Sequence, residues 1–394
     1  MTRAAILTAI LLTACFHAPA PVREVSVPSG KGAAEPFLFA ARDGSLLLSW
    51  IDDGSVRMAR YRDGKWSAPS TVVRRNDLFV NWADFPSVVE MPGGTLLAHW
   101  LQKSGSGTYA YDVRLARSKD GGRTWSPSAV LHDDGTQTEH GFVSLVPDTT
   151  RPLVHALWLD GRKMQGQGDG HEHGGDMSLR YATVDANGRI AKGAELDGRA
   201  CECCTTGMTM TANGLVAAYR DRDANEVRDI SVVRATGNGW TKPASLHADK
   251  WTINGCPVNG PQLDARGRDV VAAWFTGAAD QPRVYVAFSA DAGATFGKPV
   301  RVDGNAPTGR VDVLLLPDRS AFVTWIDGAG TDTAFVARRV TRDGKAGPIV
   351  TLAKSTTARG AGFPRAAQIG KDTYVAWTEL QPEKRIRLAS VRLQ

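Results

Sequence analysis

Ser45-Leu46-Leu47-Leu48-Ser49-Trp50 is a short apolar run closing on an aromatic ring, and the same figure returns six more times along the chain. The others are Thr95–Trp100, His155–Trp158, Leu215–Tyr219, Val270–Trp274, Ala321–Trp325 and Thr373–Trp377. Successive closing aromatics stand 50, 58, 61, 55, 51 and 52 residues apart. A near-constant period of this length marks a repeat architecture. A unit this short cannot bury a core alone, so neighbouring units must stack.

Each repeat reads as strands. An extended segment such as Phe85–Glu90 comes first, a turn such as Pro92-Gly93-Gly94 follows, and the aromatic-closed run is the second strand. Third strands are expected at Val113–Ser118, Asp229–Ala235, Arg283–Phe288 and Arg385–Val391, each followed by a polar turn and a short fourth strand. Val, Leu, Tyr and Trp alternate with small or polar residues, as half-buried strands require. Four strands per unit of this length predict an all-β propeller of seven blades, with six as the alternative. The last repeat, from Gly362 to Gln394, supplies only three strands. The N-terminal segment Val22–Val27 is expected to add the missing outer strand, because pairing the chain ends removes two open sheet edges. Residues 22–394 thus read as a single propeller domain.

The turns after the third strands carry a family signature. Ser118, Asp120, Gly122, Thr124 and Trp125 fit the pattern S-x-D-x-G-x-T-W/F, and Ser289, Asp291, Gly293, Thr295 and Phe296 fit it again. Degenerate copies stand at residues 62–66, 237–240 and 342–345. In such a turn Asp and Gly shape the tight bend, Thr bonds back to the backbone and the aromatic packs between sheets. The chain resembles the sialidase-like, BNR/Asp-box propellers over nearly all of its length. The resemblance implies that these turns are structural and lie on the face opposite the functional one.

The first residues suggest an address. Arg3 precedes the apolar run Ala4–Leu12, and Leu12-Thr13-Ala14-Cys15 is similar to a bacterial lipobox. Residues 1–15 then form a lipoprotein signal with Cys15 as the lipidated residue, and residues 16–21 form a tether; an ordinary cleaved signal peptide is the alternative. Phe16 after the cysteine resembles the class sorted to the outer membrane. The expectation is a monomer held in the bacterial cell envelope by its lipid, facing the periplasm. A net charge of +6, scattered rather than clustered, disfavours nucleic acid and leaves anionic glycans or an envelope protein as partners.

Propeller connectivity puts the loops before first strands and between second and third strands on one face. Cys201, Cys203, Cys204 and Cys256 fall in such loops, leading into blades four and five. They read as disulfides in an oxidising compartment, or alternatively as thiolate metal ligands. His171 and His173 lie in a glycine-rich loop of blade three that could hold a copper or zinc ion. Arg220, Asp221, Glu226 and Arg228 belong to a charged loop of blade four, which reads as a salt-bridge network or as the lining of an anion-binding cleft. Asp84, His140, Asp160, Arg162, Arg310, Arg365 and Glu379 also fall near this face and complete the candidate ligand-binding set.

Sialidases hold the substrate carboxylate with three arginines and use a Tyr–Glu nucleophile pair and an Asp acid/base. Their first arginine stands in Arg-Ile-Pro, where this chain has Asp84-Phe85-Pro86; Gly362-Phe363-Pro364 lacks it as well. No Tyr can be paired with a Glu from sequence, so the catalytic set does not carry over. The leading reading is a lipid-anchored extracytoplasmic propeller that binds a ligand or metal on its loop-rich face. A sialidase-type glycoside hydrolase and an envelope interaction scaffold are the alternatives.

Overall fold

The computed structural model describes residues 22–164, 175–191 and 193–392. Cys15, the tether, His171 and His173 lie outside these residues. The described chain forms seven antiparallel sheets, and its only helical pieces are four three-residue 3-10 turns. The seven-bladed expectation therefore holds, and the six-bladed alternative falls.

Each blade runs outward from an inner strand. Blade one begins at Ala34–Ala40, blade two at Ser87–Glu90, blade three at His140–Pro147 and blade four at Gly207–Thr211. Blades five, six and seven begin at Gln262–Arg266, Gly309–Leu315 and Arg365–Ile369. Consecutive inner strands are neighbours around a central channel, and the last returns to the first. Blade seven takes its outer strand from the N-terminus. Val22–Val25 pairs antiparallel with Arg385–Arg392, with Val22 opposite Val391 and Val25 opposite Leu388.

The period-two alternation of the second strands explains how the ring is glued. Leu46, Leu48 and Trp50 point into the interface with blade seven, while Leu47 points into the interface with blade two. The same division recurs around the ring, giving one apolar cluster for each of the seven blade interfaces. Every closing aromatic of the repeat faces the preceding blade: Trp50, Trp100, Trp158, Tyr219, Trp274, Trp325 and Trp377 each occupy a different cluster. All seven are buried. Each aromatic removes enough surface from water to contribute roughly 4–6 kcal/mol before entropy is counted.

The two full Asp-box turns are nearly superimposable in their bonding. Ser118 Oγ donates to Asp120 at 2.8 Å, and Asp120 accepts the Thr124 N–H at 2.9 Å and its hydroxyl at 2.6 Å. Ser289, Asp291 and Thr295 repeat this at 2.7, 2.9 and 2.6 Å. The Thr hydroxyl thus bonds the Asp carboxylate, not the backbone as the sequence suggested. Gly122 and Gly293 sit at φ 91 and 75, and a Cβ there would come within 2.8 Å of Met58 and 2.9 Å of Val216 on the preceding blade. These turns lie at the end of each sheet opposite the loops that follow the second strands, as the chain direction requires.

Candidate functional site

On the loop-rich face a pocket of about 580 Å³ opens among loops of blades two to five and the loop leading into blade seven. That volume is in the range of small-molecule sites. Its walls include Trp82, Tyr109, Glu139, Glu202, Arg222, Arg228 and Arg359, together with Cys203 and Cys256. All come from loops before first strands or between second and third strands, and Glu139 immediately precedes the inner strand of blade three.

The loop from Asp221 to Asp229 is held by its own charges. Arg222 donates to Glu226 at 2.8 and 3.0 Å and also bonds Glu202. Arg228 donates to Glu202 at 2.6 Å and to Glu226 at 2.9 Å. Two guanidinium groups thereby share two carboxylates, and the resulting frame fixes the pocket's blade-four side. Glu226 adopts φ 59 to join it. Two of the pocket's own lining residues, Phe142 at φ 55 and Val258 at φ 49, also stand in the left-handed region. A β-branched residue there is strained by about 1–3 kcal/mol, and such strain concentrates at functional sites.

The cysteines are brought together by close backbone approach. Gly260 passes so near Thr205 that any side chain would strike its carbonyl. This seats the loop leading into blade five on the loop leading into blade four. Cys203 and Cys256 form a disulfide with Cα atoms 6.0 Å apart. Cys201 and Cys204 are buried free thiols whose sulfurs lie 3.4 Å apart. One disulfide is therefore present, and the sulfurs of Cys201, Cys203 and Cys256 lie within 4.8 Å of one another.

Glu139 is the feature the sequence did not reveal. Its Oε1 accepts the Tyr111 hydroxyl at 2.7 Å. Burial, opposed by that hydrogen bond, pushes its carboxyl up to about 7. It is therefore an acid that can carry a proton near neutral pH at the pocket wall. Tyr111 itself is fully buried and stacked on Phe79 at 4.0 Å, so its hydroxyl serves Glu139 and does not reach the pocket. The pairing could not be read from sequence because Tyr111 and Glu139 belong to different blades' loops and strands.

The other candidate residues take different places. Of the ligand-binding set only Arg228 lines the pocket. Glu226 and Asp221 support its loop: Asp221 accepts the Ser231 hydroxyl at 2.7 Å, and burial raises its pKa. Arg220 is fully buried and clips blade four to blade five, donating to the carbonyls of Asn259 and Phe275, both at 2.7 Å. Arg310 donates to the carbonyls of Ala358, Thr357 and Gly362 and stacks 4.5 Å above Trp82. Asp84 and Arg365 line the central channel. Asp84 accepts the Phe142 N–H of the next blade, and burial raises its carboxyl to about 7. Arg365 lies 3.5 Å from Asp312 and over the rings of Phe37 and Phe85. Glu379 pairs with Arg385 at 2.6 Å on blade seven. With Arg220, Arg310 and Arg365 tied down in this way, the three-arginine clamp of the sialidases is not assembled.

His140, Asp160 and Arg162 join a separate cluster. The His140 and His132 rings stack at 3.6 Å. Asp134 bonds both imidazoles, at 2.6 Å to His132 and 3.2 Å to His140. Donor atoms of Asp134, His140 and Asp160, and of Asp112, His132 and His140, fall within 4.8 Å of one another and could hold a metal ion. Arg162 already reaches Asp160, Asp133 and Asp134 at 2.7, 3.1 and 3.5 Å. Its guanidinium supplies the positive charge that these carboxylates need, so the cluster fits a structural network.

The BNR repeat-like domain model matches residues 52–252, just over half of the chain. No curated protein sequence matches it. Among solved structures, a protein of unknown function from Dyadobacter fermentans DSM 18053 is similar at 14% identity and a TM-score of 0.55, covering 95% of this chain and 99% of its own. The polysaccharide lyase Uly1 is similar at 8% identity and a TM-score of 0.55, covering 94% and 92%. A Hadza microbial sialidase is similar at 15% identity and a TM-score of 0.50, covering 89% and 73%. At these identities the likeness is one of fold.

Proposed function

Because this chain belongs to the BNR repeat-like domain family, we propose that it is an extracytoplasmic, lipid-anchored propeller that binds an acidic glycan in the pocket of its loop-rich face. One observation carries the reading: Arg359 stands exposed on the pocket wall, and the charge of Arg310, buried behind the pocket, adds to the positive potential there. Arg310 donates only to backbone carbonyls, and burial together with the nearby Arg359 charge pushes its pKa down to about 10. Arg359 is exposed on the pocket wall and makes no ion pair among the described residues. An exposed guanidinium without an acidic partner attracts an anion, and a carboxylate or sulfate suits its planar fork. Trp82 and Tyr109 line the same pocket and offer faces on which a sugar ring can rest. That two of the structural neighbours are named as a sialidase and a polysaccharide lyase agrees with a glycan ligand.

The experiment is titration of the purified protein with acidic and neutral oligosaccharides, read by tryptophan fluorescence and calorimetry. Acidic saccharides should bind, and Arg359→Ala should weaken them about tenfold, the value of one charge-assisted hydrogen bond. Equal binding of neutral and acidic sugars, or none of either, would reject the reading.

Glu139 favours a second reading, in which the bound glycan is also cleaved. A carboxyl with a pKa near 7 is suited to general acid catalysis. Bond cleavage in the same saccharide panel that vanishes in Glu139→Gln while binding persists would establish it.

A further inference from the structure

Four sulfur atoms gather at the pocket wall, and only two of them are explained by the disulfide. The Sγ atoms of Cys201, Cys203 and Cys256 all lie within 4.8 Å of one another, and Cys204 Sγ lies 3.4 Å from Cys201. The Cys203–Cys256 bond is half-buried and lines the pocket, whereas Cys201 and Cys204 are buried behind it. The buried pair is not an inert apolar core. Arg228 Nη1 donates to Cys201 Sγ at 3.3 Å while also holding Glu202 on the pocket side. A guanidinium beside a thiol favours the thiolate, which is the nucleophile of disulfide exchange. Cys201 and Cys204 are separated by two residues, the spacing at which a dithiol closes to a disulfide readily.

We propose that these four cysteines form an internal thiol–disulfide relay, carrying two electrons between the buried Cys201/Cys204 dithiol and the pocket-facing Cys203–Cys256 bond. In the first step the Cys201 thiolate attacks Cys256 Sγ. The Cys203–Cys256 bond breaks, a Cys201–Cys256 bond forms, and Cys203 leaves as a thiolate that takes up the proton Cys201 gave to solvent. In the second step the Cys204 thiolate attacks Cys201 Sγ. A Cys201–Cys204 bond forms, and Cys256 leaves and takes up the proton released by Cys204. One disulfide is lost and one is gained, so the exchange needs no outside oxidant or reductant. Its product presents two thiols, Cys203 and Cys256, to the pocket, where a small disulfide or a disulfide-bearing peptide is the class of substrate they would reduce. Burial alone would raise the Cys201 thiol, but the Cys204 hydrogen bond and the Arg228 charge bring it down to about 7, which keeps the attacking thiolate populated. This proposal is independent of the glycan reading.

The test takes the protein with its reductant adjusted to leave two free thiols per chain. It is then held for increasing times, labelled while folded with N-ethylmaleimide, and its disulfides are mapped by non-reducing peptide mass spectrometry. Both Cys201–Cys204 and Cys203–Cys256 linkages are expected, with label accumulating on Cys203 and Cys256. Cys201→Ser should abolish that label, and Cys204→Ser should accumulate the mixed Cys201–Cys256 bond. The wild-type time course decides the matter even if neither variant folds. A Cys203–Cys256 linkage alone at every time would overturn the relay, and so would four free thiols with a stoichiometric bound metal ion.

Discussion

Glu139 shows how one residue's chemistry depends on neighbours that its own sequence context does not contain. Its carboxyl is pushed up from the ordinary 4.5 to about 7, chiefly by burial. A carboxyl raised on folding stabilises the protein fully below its unfolded pKa, and that stability is lost as pH rises through the folded value. Asp84, raised to about 7 by its own burial, acts in the same direction. These two carboxyls should pull the melting temperature down as pH rises from about 4.5 to about 7, against the opposite slope of His99, whose burial lowers its pKa to about 3. Glu139→Gln should remove part of that downward pull, as measured by calorimetry at several pH values; an identical slope in the variant would refute the assignment. Gly122 makes a steric case at the same scale. Its φ of 91 and the Met58 sulfur 2.8 Å from a Cβ leave no room for a side chain. Gly122→Ala should cost about 1–3 kcal/mol from backbone strain alone, measured by urea denaturation.

The second strand of each blade is the element that turns a repeat into a ring. Its alternation sends the closing aromatic back to the preceding blade and its neighbours forward to the next. Trp274, fully buried between blades four and five, represents the set. Trp274→Ala should lower unfolding stability by about 3–5 kcal/mol through the lost burial and the cavity left behind. A loss below 1 kcal/mol in denaturant titration would show that the blades are glued elsewhere. The loops that lead into blades four and five form a second such unit. Their disulfide spans a sequence separation of 53 and joins them next to the pocket. In the chain-entropy model, closing a loop of that size stabilises by about 4 kcal/mol. Cys256→Ser should forfeit most of this, seen as a lower denaturation midpoint under non-reducing conditions.

At the scale of the whole molecule, closure matters most. Four residues from one end of the chain complete a sheet begun by the other, from Val22 opposite Val391 to Val25 opposite Leu388. The pairing gives blade seven four strands, as in blade six. Deleting residues 22–25 should expose the edge of Arg385–Arg392 and cost on the order of 3 kcal/mol in burial and ladder hydrogen bonds. An unchanged urea midpoint after the deletion would mean that the ring closes without this strand. Among the described residues no helix is long and apolar enough to cross a membrane. Fractionation of Cys15→Ser against the wild type tests the proposed lipid attachment, which should be lost in the variant.

The architecture was legible in the sequence because the propeller is built from local, periodic signals. Seven aromatic-closed runs, two Asp-box turns and a short last repeat are each readable within a few residues, and together they fix blade number, blade order and the strand that closes the ring. The approach of Cys256 to the cysteine cluster was legible for the same reason, since both lie in equivalent loops of adjacent blades. What the tertiary structure decided was which polar side chains meet. Arg220, Arg310 and Arg365 look in sequence like an anion-binding set, yet buried carbonyls, rings and Asp312 claim them. The Tyr111–Glu139 pair and the Arg359–Arg310 neighbourhood arise from residues between 28 and 49 positions apart, brought together by the ring. Periodic burial is written along the chain, but the pairing of charges is set by three-dimensional distance, which the chain's linear order does not encode.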